Sequence, residues 1–321
     1  MKNDSFKTIG DQLKKADSVL IVTHYNMDGD AVGSAAAICH VLRRMGKESW
    51  ILIEDEVPGN LQFLDRDYTT FDQDVLGEPD VSMCVDCGDL TRFPKRADRF
   101  MTGKVHICVD HHKTSEPFCD YNYIDPGAAA TGELVYQLIR AMGEEVDKEA
   151  GEALFAAITT DTGNFQYSNT TRQSHDIAAD LYDCGIDANG VSVEIYETVH
   201  LAKLKVQARA MENLELFADG KVAMSYLTLK MREECGAAPD ETDGIVSELR
   251  SIDGVEVAVF IKETEDEGRI RVSLRSKKDY DVARVAAAFE GGGHTKAAGC
   301  TYYGTLEDAR RDLLAKVLEY M

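Results

Sequence analysis

The chain has 321 residues, 44% hydrophobic and 29% charged, with a formal net charge of −22. That length accommodates two domains with their own cores, and the composition is globular. The acidity excludes a broad basic grip on long duplex nucleic acid. No run approaches the roughly 18 apolar residues of a membrane span, and the first residues hold no apolar signal core, so a cytoplasmic protein without a membrane partner is expected.

Taken in order, Ser18–Thr23 (SVLIVT) is a short apolar, β-branched run that predicts a strand. Ala31–Arg44 then reads as a helix rich in small residues. Ser49–Ile53, Val81–Val85 and Val105–Val109 are further apolar runs of strand length. Gly132–Met142, Lys148–Thr160 and Arg172–Cys184 read as helices. Near-continuously apolar strands separated by helices predict an α/β fold, a doubly wound, mostly parallel sheet covered on both faces. This domain is expected to span 1–185. A helical, polar linker follows at 186–220. A smaller C-terminal α/β domain is expected over 221–321, with a cleft between the two. Its strands are KVAMSYLTL, VEVAVFIKE and RIRVSLRS, and its helices Thr242–Arg250, Asp281–Phe289 and Thr305–Tyr320.

The chemistry gathers at the ends of these elements. His24 lies just past the first strand, in THYNMDGD, with Asp28 and Asp30 two residues apart around Gly29. Asp86 follows the third strand, the string Asp110-His111-His112 ends the fourth, and Asp161 ends a helix. In a doubly wound sheet, ligands gather in a crevice at the carboxyl ends of the strands. Asp28 or Asp30 alone could cap the helix that follows, and Asp161 alone could be a surface carboxylate. Together they read as a dinuclear metal centre with Asp86 placed to bridge. Mixed carboxylate and imidazole donors favour a transition metal, Mn²⁺ first, over Mg²⁺ or Ca²⁺. Cys84 and Cys87 form a C-x-x-C without a second pair, so core packing is the better reading than zinc.

The ordered set HYNMDGDAVGS, DCGD, DHH and TTDTGNF resembles the four motifs of the DHH phosphoesterase superfamily. GGGHTKAAG resembles the glycine-rich signature of the associated C-terminal domain, DHHA1. Within that superfamily the chain looks most like the nanoRNase/pAp-phosphatase (NrnA-like) group, with Met27 where the first motif often has proline. The resemblance implies two Mn²⁺ ions per chain, with Mg²⁺ or Co²⁺ as substitutes. His24, Asp28 and Asp86 would hold one; Asp30, Asp86, His111 and Asp161 would hold the other. His112 would face the scissile phosphate, and Asp110 would orient the histidines.

The C-terminal domain would recognise substrate through Arg275 and Ser276, with Gly291, Gly292, Gly293 and His294 offering donors to an anion. Arg271 has the parity of Arg275 and could equally be an exposed strand charge; with Lys277 it completes a local basic cluster. The implied substrates are short RNA oligonucleotides, dinucleotides such as pApA, and 3′-phosphoadenosine 5′-phosphate (pAp). A homodimer is compatible with the chain. The alternatives are a family II-like inorganic pyrophosphatase and a non-catalytic nucleotide sensor. The first would carry a different C-terminal domain, and the complete ligand set argues against the second.

Overall fold

The computed structural model describes residues 3–266, 268–278 and 280–321. The chain forms two compact units, Met1–Thr198 and Val199–Met321.

In the first unit, α1 (Phe6–Lys15) precedes β1 (Ser18–Val22), α2 (Gly29–Arg44), β2 (Glu48–Leu52), β3 (Thr69–Thr70) and β4 (Val81–Val85). Then come α3 (Ala97–Phe100), β5 (Val105–Asp110), β6 (Tyr121–Ile124), α4 (Thr131–Ala141), α5 (Lys148–Asp161), α6 (Arg172–Asp183) and α7 (Ala188–Ser192). The six strands are all parallel, in the order β3-β2-β1-β4-β5-β6. The expected doubly wound sheet is therefore present, with β3 and β6 as short edge strands that apolar runs did not mark.

The two faces are covered unequally. Val19 and Ile21 of β1 join the large core built by α1, α2, α4 and α5. Leu20 and Val22 point the other way, onto Phe93 and Phe100. Cys84, Cys87 and Cys108 belong to that smaller core. Burial pushes the thiols of Cys84 and Cys87 up, which keeps them protonated and makes them packing groups.

The expected linker, 186–220, is divided between the units. Ile186, Ala188, Val191 and Ile195 are buried in the first unit's core. α8 (Leu201–Glu212) buries Val206 and Ala210 in the second. The segment read as a helical, polar linker thus makes two separate attachments, one to each unit's core.

The second unit continues with β7 (Glu215–Phe217), β8 (Val222–Leu227), α9 (Leu229–Cys235), α10 (Ile245–Ser251), β9 (Val257–Glu263) and β10 (Arg269–Ser276). It ends with α11 (Val282–Ala287), β11 (Gly292–His294), β12 (Ala297–Tyr303) and α12 (Leu306–Tyr320). Its sheet runs β11-β12-β10-β9-β8-β7 and is antiparallel except for the β8–β9 pair. α11 and α12 cover one face. α8 and α10 cover the other, over β8 and β9.

The first unit's site depends on a close helix pair. α2 and α5 approach so tightly that a Cβ on Gly33 would lie 2.3 Å from the Ala153 carbonyl oxygen. Gly33→Ala must separate the helices, and overpacking of this kind costs about 1–3 kcal/mol. A unit of this size loses roughly 2–4 °C of Tm per kcal/mol. The variant should therefore melt at least about 2 °C lower. Gly59→Ala, which meets open space, should melt close to wild type. Equal melting of Gly33→Ala and wild type would refute the close-packing argument.

Candidate metal centre

The strand order reverses direction between β1 and β4, the point at which a doubly wound sheet opens a crevice. Val22 and Cys84 are register partners there. His24 and Asp86 each lie two residues farther along, so the two strands deliver them side by side. Asp110 is the last residue of β5, with His111 and His112 immediately after. Helix ends supply the rest. Asp28 caps α2, accepting from Ala31 N–H at 3.1 Å, and Asp30 occupies its first turn. Asp161 is the last residue of α5. The capping role of Asp28 and its place in the cluster coexist.

Three groups of side chains come within ligand reach. His24 Nε2 lies 3.4 Å from Asp86 Oδ2 and 3.7 Å from Asp28 Oδ1. His111 Nε2 lies 3.2 Å from Asp161 Oδ2, 3.6 Å from Asp30 Oδ2 and 3.6 Å from Asp86 Oδ1. Asp86 thus turns one carboxylate oxygen to each group. The third group joins His112 to Asp86 and His111. There the approach to Asp86, 3.7 Å, is made by Nδ1, which already bonds Asp110 at 2.8 Å. That nitrogen is already committed to Asp110.

Backbone carbonyls set two of the rings. His24 Nδ1 donates to Tyr25 O at 2.8 Å, and His111 Nδ1 donates to Ala128 O at 3.2 Å. A carbonyl only accepts, so both imidazoles carry their proton on Nδ1 and, when neutral, present the Nε2 lone pair to the cluster. Asp110 receives Nδ1–H of His112 on one oxygen and the Ser115 hydroxyl on the other. Among the described residues His112 Nε2 has no hydrogen-bond partner, and this ring is more exposed than those of His24 and His111.

The charges are crowded. Asp30 is fully buried and accepts from Thr131 N–H at 2.6 Å, Gly132 N–H at 2.9 Å and Ser34 Oγ at 3.0 Å. α4 has no side-chain cap of its own, and Asp30 provides that service from another helix. Burial and the neighbouring Asp86, Asp161 and Asp28 still hold its pKa well above the ordinary range. Burial likewise pushes Asp161 up to about 6: His111 opposes the shift, while Asp86 and Asp28 add to it. Burial works against a charged His24, yet hydrogen bonds to Asp28 and Asp86 outweigh it and raise the ring to about 10. Asp28 and Asp110 run the other way, held low by their histidines against the cost of burial. The hydrogen bond to Asp110 raises His112. Buried carboxylates this close repel unless something positive lies among them. The donor set fits a divalent cation in each of the two groups.

The backbone at Asp86 is also unusual. Its φ of 56° is left-handed, which costs an L-residue about 1–2 kcal/mol. Asp86 N–H donates to Val109 O at 3.1 Å, and Thr131 Oγ1 donates to Asp86 Oδ1 at 2.9 Å. Thr131 and Ser115 were not singled out from the sequence, where hydroxyl residues in loops carry no distinctive signal.

The second unit holds the other expected residues. Arg275, on β10, is half-buried; burial and then the nearby Arg250 lower its pKa. Gly291, Gly292 and Gly293 line a groove of about 940 Å³ with Arg275. Gly292–His294 is strand β11 rather than a loop, and His294 is exposed. Ser276 is buried, its hydroxyl donating to Tyr280 O at 2.7 Å and to Thr295 O at 3.3 Å. It clips the segment after β10 rather than facing the groove. Lys277 Nζ donates to Ile252 O at 2.8 Å.

The description "DHH family, N-terminal domain" matches residues 18–158, and "DHHA1 domain" matches 219–321. Asp161 lies just beyond the first match. The chain is 28% identical to the bifunctional oligoribonuclease and PAP phosphatase NrnA of Thermus thermophilus, over 98% of this chain and 94% of that protein. It is 27% identical to the protein of the same name from Bacillus subtilis, over 94% of each. The crystal structure of an exopolyphosphatase-related protein from Bacteroides fragilis matches with a TM-score of 0.91 and 28% identity, over 98% of this chain and 96% of that one. With the two domain matches in sequence order, the chain belongs to the DHH/DHHA1 phosphoesterases, enzymes that hydrolyse phosphoric esters.

Proposed function

We propose that this chain is a Mn²⁺-dependent phosphoesterase acting on short oligoribonucleotides, linear dinucleotides such as pApA, and pAp. The observation that carries the reading is Asp86, whose two oxygens face two separate donor groups. The relatives named as oligoribonuclease and PAP phosphatase support the substrate class. The DHHA1 match favours it over an inorganic pyrophosphatase. Mg²⁺ or Co²⁺ would substitute.

His24, Asp28 and Asp86 would hold one cation; Asp30, Asp86, His111 and Asp161 the other. Such a pair supplies Lewis acidity and a water acidic enough to attack phosphorus. The chain's own part is orientation. Tyr25 O and Ala128 O aim the two ligating imidazoles. Asp110 fixes His112 and raises its proton affinity, so His112 Nε2 donates to the phosphate or to the departing oxygen. Arg275 and the glycines of β11 would bind substrate phosphate, with His294 on the same face of the sheet.

Two substitutions separate these roles. Asp86→Ala should lose both metal and activity, whereas His112→Ala should keep its metal and lose about 10²–10⁴ in kcat, the range of a general acid. Metal content by mass spectrometry and turnover of pAp and an RNA dimer decide it. Wild-type turnover in folded Asp86→Ala would end the dinuclear reading. Loss of one metal equivalent from His112→Ala would make that ring a ligand. Pyrophosphate hydrolysed in preference to pAp would overturn the substrate class.

Metal binding should also depend on pH. Without metal, Asp161 titrates near 6 and His24 near 10. Both values are raised, so each group's contribution to stability is present at low pH. It is lost as pH rises through about 6 for Asp161 and about 10 for His24. Cations replace those protons. The rise in Tm on adding Mn²⁺ should be small at about pH 5 and larger at about pH 8. A rise that shrinks over that interval would contradict the assignment.

A further inference from the structure

Strand register in the second unit places Arg271, Ser273 and Arg275 on one face of β10, beside Thr301, Gly299 and Ala297 of β12. Gly292 continues the Ser273–Gly299 row onto β11. Tyr303, opposite Arg269, shares the face. α8 and α10 cover this face over β8 and β9. α10 also reaches β10, while among the described residues no β11 or β12 residue joins that helix core; Arg271, Gly292 and His294 are exposed and Tyr303 is 74% exposed. The result is a shelf with a floor of small residues, two guanidinium groups spaced along its β10 side and an aromatic ring past one end.

The charge on this shelf runs against that of the chain, −22 overall. Among the described residues neither Arg271 nor Arg275 has a carboxylate within 4.0 Å, whereas Arg232, Arg269, Arg310 and Arg311 all do. Lys262, the register partner of Arg271, is by contrast paired with Asp243 at 3.7 Å and donates to Thr242 Oγ1 at 2.6 Å. Glu290 also lines the groove. Four residue steps along the strand, about 13 Å, separate the two arginines, so the cations suit two phosphates of one strand.

Glycine at position 292 has no internal cause. A Cβ there would meet nothing within 4 Å, and its φ is not left-handed, unlike that of Gly293. The space it leaves lies on the shelf.

We propose that Arg271 and Tyr303 form a second nucleotide subsite for single-stranded RNA. Arg271 takes a phosphate beyond the one at Arg275, and Tyr303 stacks the adjoining base. A pentaribonucleotide reaches this subsite and pAp does not. The inference rests on the phosphoesterase reading for its substrate class, and it makes oligonucleotide length the property that the second unit measures.

The test uses the full chain, wild type and the variants Arg271→Ala and Tyr303→Ala, both at exposed positions. Activity with Mn²⁺ gives kcat/KM for pAp and for an RNA pentamer. Anisotropy in EDTA gives binding of a labelled ribodimer and pentamer, independent of catalysis. For Arg271→Ala, the pentamer-to-pAp ratio of kcat/KM should fall about tenfold, the loss typical of one charge-assisted bond. The slope of log K against log salt for the pentamer should drop by about 0.7, one phosphate on a single strand. Tyr303→Ala should cost the pentamer at least about fivefold through lost stacking while leaving the salt slope unchanged. Wild-type hydrolysis of both substrates with an unchanged ratio in the variants would overturn the subsite alone, as would equal losses on both. Failure of the wild type to bind or hydrolyse any RNA would overturn the functional reading together with the subsite.

Discussion

Electrostatic crowding around Asp86 is the constraint on which the first unit turns. Four carboxylates and two imidazoles converge where β1 and β4 lie side by side. Such a cluster is unfavourable by itself, because burial and mutual repulsion both oppose ionisation. The chain answers with fixed donors: the N-terminal amides of α4 on Asp30, a threonine hydroxyl on Asp86, carbonyls that hold the imidazoles. The left-handed backbone at Asp86 belongs to the same arrangement. Strain and desolvation are concentrated at one point, at the ends of an α2–α5 pair whose small residues let the backbones nearly touch.

How much of this was legible depends on what each element must bury. β1, β4 and β5 are sandwiched between two cores, so their sequences are unbroken apolar runs. β3 has two residues and β6 reads YNYI, and an edge strand of that kind leaves no such run. β11 and β12 were hidden for another reason: GGH and AAGCTYY are selected for smallness on the open face rather than for alternation. At the centre, the strand-end positions of His24, Asp86 and His111 are a property of the chain alone. The two tasks of Asp110, and the recruitment of Thr131 across some 45 residues to reach Asp86, are properties of the folded contact.

Ser276 marks the limit of reading a motif by its letters. It sits between Arg275 and Lys277, in a segment rich in positive charge, yet its hydroxyl turns inward to bond two carbonyls. A serine in a basic segment can act by shaping the backbone that presents its neighbours. Arg275 stays poised over the groove because the chain beyond it is clipped in place.

The borrowed cap of α4 carries its own consequence. The amide hydrogens of Thr131 and Gly132 end on Asp30 rather than on a residue of their own loop. Their exchange with solvent deuterium is therefore a clock for the charge state of a carboxylate in another helix. Protonate that carboxylate and the first turn of α4 keeps only a weaker acceptor, while the rest of the helix keeps its own bonds. Isotope labelling of two backbone positions would read the ionisation of the centre without substrate, product or spectroscopically active metal.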